Sequence, residues 1–237
     1  MSRRPGSRNL ALPFWKRALD IACCIAALPV LALAIGCIGF VARVVSPGPI
    51  LFRQERVGYL GRRFTLYKFR TMHVSADTTS HQAHVARLVK SKVPMQKLDA
   101  RGDQRLFPGG RLLRASGLDE LPQILNILRG EMSMVGPRPC IPYECAQYSP
   151  WQRKRLESVP GLTGLWQVSG KNRTTFEEMI QLDILYSEQQ SIGLDVWILL
   201  RTAPTLWSQM IETQRARNRA GNTKVGVGPT PSISLPR

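Results

Sequence analysis

Acidic residues are scarce in this 237-residue chain: 16 Asp and Glu stand against 33 Lys and Arg, a formal charge of +17 with a pI near 10.6. Such a deficit excludes cationic partners and requires anionic ones: nucleic acid, acidic lipid headgroups or phosphorylated substrates. Histidine is rarer still. His73, His81 and His84 have no cysteine or fixed carboxylate cluster beside them, which argues against a zinc site and for solvated surface. The five cysteines, an odd number, lack metal-ligand or disulfide spacing. Cys23, Cys24 and Cys37 fall in an apolar stretch, Cys140 and Cys145 elsewhere, and all read as reduced cytosol-side or lipid-side residues. A finger, zipper or recognition-helix signature is missing too, which disfavours a membrane-tethered nucleic-acid binder despite the charge. The length suits one compact domain with short appendages.

What is abundant is apolar sequence near the N-terminus. Ile21 to Ala42 runs 22 residues without a charge, between Asp20 and Arg43. As a straight helix it would extend about 33 Å, close to the hydrocarbon thickness of a bilayer. A cleaved signal peptide, a single-span anchor and a re-entrant helix all match the run itself. Pro29 removes a backbone donor in its middle and favours a bend. Basic residues flank both ends, Arg3, Arg4, Arg8, Lys16 and Arg17 before and Arg43, Arg53 and Arg56 after, which places both ends in the cytoplasm. A helix that enters and returns satisfies this, whereas a span does not.

Ser46-Pro47-Gly48-Pro49 ends that element, and Ile50 to Arg56 with Arg63 to Phe69 reads as a small hairpin around Gly58 and Gly61. Residues Val74 to Gln104 form a polar excursion with a short helix expected near Gln82 to Lys90. Helices are then expected over Arg111 to Ala115, Asp119 to Leu128 with Pro122 in its first turn, Tyr143 to Glu157, and about Thr175 to Gln190. From Leu194 to Ile211, Trp197, Leu200, Pro204 and Trp207 recur at helical spacing beside Arg201, which suits either a membrane interface or an ordinary core-facing helix. The fold class is therefore α+β, mainly α: a basic segment over 1–17, a re-entrant membrane helix over 18–45 bent near Pro29, a cytoplasmic catalytic domain over 46–212 with interfacial amphipathic helices, and a basic disordered tail over 213–237.

Asp119 and Glu120 are the chemical focus. At a helix mouth the adjacent carboxylates can converge on one ligand; the positive end of the helix keeps Asp119 ionised, and Glu120 can help hold a hard cation such as Mg2+. The structural alternative is a helix cap with an acidic first turn. Gly136-Pro137-Arg138-Pro139 presents a single arginine on a stiff loop, suited to bidentate capture of phosphate, and Lys68 and Arg70 add further cations. Carboxylates among phosphate-gripping cations near a membrane point to phosphoryl transfer. Gly161-Leu162-Thr163-Gly164 and Gly170-Lys171-Asn172 could wrap a nucleotide or simply turn the chain.

The ordered series Lys16-Arg17…Asp20, Ser46-Pro47-Gly48-Pro49, Phe52-Arg53-Gln54-Glu55-Arg56-Val57-Gly58, Lys68-Phe69-Arg70-Thr71-Met72, Leu118-Asp119-Glu120-Leu121-Pro122-Gln123, Val135-Gly136-Pro137-Arg138-Pro139 and Pro160-Gly161-Leu162-Thr163-Gly164 resembles the bacterial sugar transferases, monotopic phosphoglycosyl transferases. The resemblance runs from about Lys16 to Pro204 and covers the catalytic unit without the extra N-terminal multispan domain of larger members. Leu28 and Gly117 depart from it, standing where the family often has Ser. It implies that Asp119 attacks the sugar-bearing phosphate of a UDP-sugar, that UMP leaves, and that undecaprenyl phosphate takes the phosphosugar from the aspartate. By the same resemblance Glu120 coordinates Mg2+ and Arg138 grips phosphate, with Lys68 and Arg70 as further phosphate ligands. The expected setting is the cytoplasmic face of a bacterial inner membrane, among anionic lipids and without nucleic acid; a homo-oligomer is left open. An inactive scaffold for polysaccharide assembly is the other alternative.

Overall fold

The computed structural model describes residues 12–45, 48–73, 94–95, 105–170 and 173–224. The polar excursion with its short helix, His81 and His84, most of the basic N-terminal segment, Lys171-Asn172 and the end of the tail lie outside the described residues.

Helix α1 spans Phe14–Val45 and continues through Pro29. Its stretch Phe14–Gly39 is long and apolar enough to cross a membrane, and little of it is covered by the rest of the chain. Phe14, Ile25, Val30 and Leu33 are all more than half exposed. The covered side is narrow: Cys24, Leu31 and Ala34 join an apolar cluster with Leu66, Phe69, Ile124, Ile127 and Met132. Two strands follow, β1 (Leu51–Val57) and β2 (Arg63–Phe69), paired antiparallel with Phe52 opposite Lys68, as the interleaved pattern predicts.

Helix α2 (Gly110–Ser116) leads through Gly117 into a 3-10 turn, Leu118–Gln123, and then α3 (Ile124–Leu128). The single helix expected over Asp119 to Leu128 is thus two pieces, with Pro122 inside the tighter one. Strand β3 (Ser133–Val135) pairs in parallel with β4 (Gly161–Thr163), a sheet that the Gly-rich composition of the second strand concealed. Between them the expected helix over Tyr143 to Glu157 is broken into α4 (Pro142–Cys145) and a 3-10 turn, Gln152–Glu157. Pro150 lies in the gap; it has no N–H to continue a helix and disfavours helical geometry in Ser149.

Helix α5 (Leu165–Val168) precedes α6 (Phe176–Gln189), which opens on a capping box: Thr175 accepts from the Glu178 N–H while the Glu178 carboxylate accepts from the Thr175 N–H. Helix α7 runs Ile192–Lys224 and corrects the expected tail boundary at 213. Thr213 to Lys224 carries three Arg and two Ala and has no proline, so local propensity extends the helix; the prolines come only at 229, 231 and 236. Trp197, Leu200 and Trp207 on α7 are 42%, 73% and 65% exposed, so this stripe is not core. Among the described residues the chain is mainly helical, as expected, with two small sheets where the sequence suggested one hairpin.

Candidate functional site

Asp119 and Glu120 lie in the first turn of the 3-10 segment, which Gly117 enters with φ 73°. That left-handed geometry suits glycine, and a Cβ there would also come within 3.3 Å of Leu206 on α7, which accounts for Gly at this position. The cap position belongs to Gly117, so Asp119 is not held there as a structural N-cap. Asp119 is only 7% exposed. The turn is seated on β2 from both sides. Lys68 Nζ donates to Glu120 Oε1 at 2.8 Å. On α3, buried Asn126 donates Nδ2 to the Thr65 carbonyl at 2.7 Å and accepts from the Tyr67 N–H at 3.2 Å.

Arg70 is buried just past β2, where its N–H donates to the Ile50 carbonyl at 2.9 Å. The next residue, Thr71, offers its carbonyl to the Phe107 N–H at 3.2 Å, and a Cβ on Gly110 would come within 2.4 Å of that oxygen. This close approach ties the strand end to the start of α2. Lys68 therefore contacts Glu120 directly, and Arg70 is buried at the hairpin's foot.

Arg138 sits on the loop after β3. Its Nη1 lies 3.2 Å from Glu144 Oε2, and its side chain is 28% exposed while Glu144 is 1% exposed. Behind them is a buried network that no local motif announces. Tyr148 donates its hydroxyl to Glu144 at 2.6 Å, and Arg155 lies 3.6 Å from the same carboxylate. Arg155 also donates to the Arg138 carbonyl at 2.9 Å and pairs with Asp183 on α6. From β1, Arg56 donates to the Pro139 carbonyl at 3.0 Å. Two buried guanidiniums thus grip successive carbonyls of the loop that carries Arg138.

Charge in this network is unbalanced: Arg56, Arg138 and Arg155 meet Glu144 and Asp183, one cation in excess. Burial, and next the positive Arg138, pushes the Arg56 pKa down to about 10. Burial alone would raise Glu144, but Arg138, Arg155 and the Tyr148 hydroxyl outweigh it and hold the carboxyl below its ordinary value. Arg56 also feels the charge of Glu120. The excess cation suits this network to an anion.

The glycines of the two sheet motifs serve backbone contact. A Cβ on Gly161 would lie 2.0 Å from the Gly136 nitrogen, and one on Gly164 would lie 2.2 Å from the Gly136 carbonyl oxygen. Gly136 N–H donates to Thr163 and Gly161 N–H to Pro137, each at 2.9 Å. Gly161–Thr163 is a strand packed against the start of the arginine loop, not the simple turn that was one of the two readings.

Lys16, Arg17 and Asp20 fasten α1 to the same region. Lys16 is fully buried, pairs with Asp195 and donates to the Val135 carbonyl at 2.9 Å. Arg17 donates to the Ile127 and Leu128 carbonyls at 2.6 and 2.8 Å, satisfying the end of α3. Asp20 accepts from Ser133 Oγ and Met134 N–H at 2.8 Å each. The apolar helix is thereby locked to β3, the strand that leads into the Arg138 loop.

Among the described residues no group of three or more His, Cys, Asp or Glu is placed to hold a metal. Mg2+ needs fewer protein ligands, since it is commonly bound by one or two carboxylates together with substrate phosphates and water. The donor chemistry of Asp119 and Glu120 fits that pattern.

The sequence matches the family model described as bacterial sugar transferase over residues 11–209. It is 39% identical over 220 residues to a UDP-glucose:undecaprenyl-phosphate glucose-1-phosphate transferase of Caulobacter vibrioides, covering 87% of this chain and 75% of that one. It is 41% identical over 156 residues to the galactosyl transferase CpsE of Streptococcus agalactiae, covering 65% of this chain but 34% of the relative. Against the exopolysaccharide production protein ExoY of Sinorhizobium fredii it is 35% identical over 195 residues, covering 81% and 84%. The chain thus spans about a third of one relative and most of the other two. The ordered motifs and the match across most of the chain agree: this protein belongs to the bacterial sugar transferase family.

Proposed function

We propose that this protein transfers a sugar-1-phosphate from a UDP-sugar to undecaprenyl phosphate and releases UMP, an early membrane step in the synthesis of exopolysaccharide, capsule, O-antigen or another glycoconjugate. The observation that carries the reading is the carboxylate turn itself: buried Asp119 and Lys68-bound Glu120 in a chain of this family. A carboxylate of Asp119 attacks the sugar-bearing phosphorus. An oxygen–phosphorus bond forms, the bond to the UMP oxygen breaks, and UMP departs with the electron pair. The phosphate oxygen of undecaprenyl phosphate then attacks the same phosphorus and displaces Asp119, regenerating the carboxylate.

Glu120 would hold Mg2+, which when bound supplies positive charge against the diphosphate. Arg138 orients phosphate oxygens, and the excess cation in its network favours that anion. Lys68 and Arg70 add positive potential, Lys68 from the open side and Arg70 from the hairpin's foot.

The protein is membrane-associated, and we place it on the cytoplasmic face of the inner membrane through a re-entrant α1. Lys16, Arg17 and Asp20 at one end of the apolar stretch and Ile38 beyond Pro29 pack on the same body, which supports both ends lying on one side. The exposed Trp197, Leu200 and Trp207 suit an interfacial bed for α7, with Arg201 lying over Trp197 at 5.3 Å. Anionic lipid would meet the basic surface.

The direct test is UMP release from UDP-sugars by the membrane-reconstituted protein. Asp119→Asn should lower it at least about a thousandfold, as loss of a nucleophile does, while membrane association persists. Retained turnover in that variant would remove Asp119 from the chemistry.

A further inference from the structure

Lys68 is a candidate cation for the substrate phosphates, and in this structure its ammonium donates to Glu120 at 2.8 Å. Glu120 in turn is read as a ligand of a divalent cation. Mg2+ bonds a carboxylate oxygen at about 2.0–2.1 Å, so a metal on the oxygen that Lys68 holds would lie within about 5 Å of the ammonium. Two cations on one oxygen repel each other unless a further anion lies between them. A diphosphate is such an anion.

We propose that Lys68 is a stand-in cation for Glu120, which it holds until a divalent cation and a diphosphate arrive together and then leaves for the phosphate oxygens. The proposal rests on the reading of Glu120 as a metal residue and deepens it. Three observations support it. The pair is partly open, with side chains 24% and 35% exposed, so the exchange needs no opening of the core. Lysine is a compact charge on a flexible stem and can change partner without moving its strand. The strand itself is fixed, since Lys68 is paired across the hairpin with Phe52 while Phe69 is buried beside it. The consequence is order: metal and diphosphate strengthen each other's binding, because together they repay the broken Lys68–Glu120 pair.

The test is binding of Mn2+ to the full-length chain in nanodiscs, read as loss of the free Mn2+ electron paramagnetic resonance signal. It is run with and without UDP, which carries the diphosphate and no sugar to transfer. Lys68→Gln should bind Mn2+ about two- to fivefold more tightly than the parent without UDP, the range expected on removing a partly exposed ion-pair competitor. It should also bind UDP more weakly and show a smaller gain in Mn2+ affinity when UDP is added. Lys68→Arg should stay close to the parent. Mn2+ binding by Lys68→Gln that is unchanged or weaker, with Glu120→Gln impaired, overturns the exchange while leaving Glu120 as a metal residue. Undiminished Mn2+ binding by Glu120→Gln overturns the metal assignment and this proposal together.

Discussion

At the scale of single residues, the candidate site is braced by buried charged groups that no single motif joins. Glu144 is the clearest case, enclosed with Tyr148, Arg138 and Arg155. Its carboxyl is held below the ordinary value of 4.5 in the folded chain. Its stabilising contribution is therefore full above that value and is lost as pH falls through the lower folded pKa. Glu144→Gln should cost about 3 kcal/mol at neutral pH, since it leaves two guanidiniums facing an uncharged amide. Thermal denaturation from pH 7 to pH 3 checks this: the gap in Tm between parent and variant should narrow toward the acid end, and a constant gap would contradict the assignment. Asp119, Glu120, Lys68 and Arg138 were legible in sequence because each sits in a short motif whose residue types already suggest phosphate chemistry. Arg56, Glu144, Arg155 and Asp183 were not, because no helical or strand period tells which buried charges will meet.

At the scale of elements, local pattern carried the hairpin, α2, α6 and the start of α7, and failed where close backbone approach decides. The pair β3 and β4 is only three residues a side and is built on glycines that a propensity reading scores as turn. Gly161→Ala should lose more than about 2 kcal/mol, because its methyl would fall 2.0 Å from the Gly136 nitrogen and part the two strands. Urea unfolding of the detergent-solubilised protein measures this, and a variant as stable as the parent would mean that the strands can separate freely. Gly193, with open space around its Cβ position, is the matched control, and Gly193→Ala should be neutral or stabilising. Pro150 and Pro122 teach the same lesson from the other direction: the helical pattern around each was real, but a missing donor split or tightened the element.

At the scale of the whole molecule, a helix with most of its apolar surface uncovered is joined to a body rich in buried cations. Composition alone indicated both halves, the long uncharged run and the excess of 33 basic over 16 acidic residues. What it could not indicate was the joint between them, in which Lys16 and Asp20 fix α1 to β3 just before the Arg138 loop. If α1 enters and leaves on one side, a cysteine placed at Ser2 in a cysteine-free background should react with membrane-impermeant maleimide only after the cytoplasmic face is exposed. Labelling from the periplasmic side in intact cells would mean that the helix spans. The central claim is that Asp119 carries the sugar-phosphate covalently, and intact-protein mass spectrometry tests it most directly. Incubated with its UDP-sugar and no lipid acceptor, the protein should gain the mass of one sugar phosphate, mapped to Asp119, and lose it when undecaprenyl phosphate is added. Product formation under turnover with no adduct at Asp119, in a preparation whose Asp119→Asn variant remains active, would contradict it.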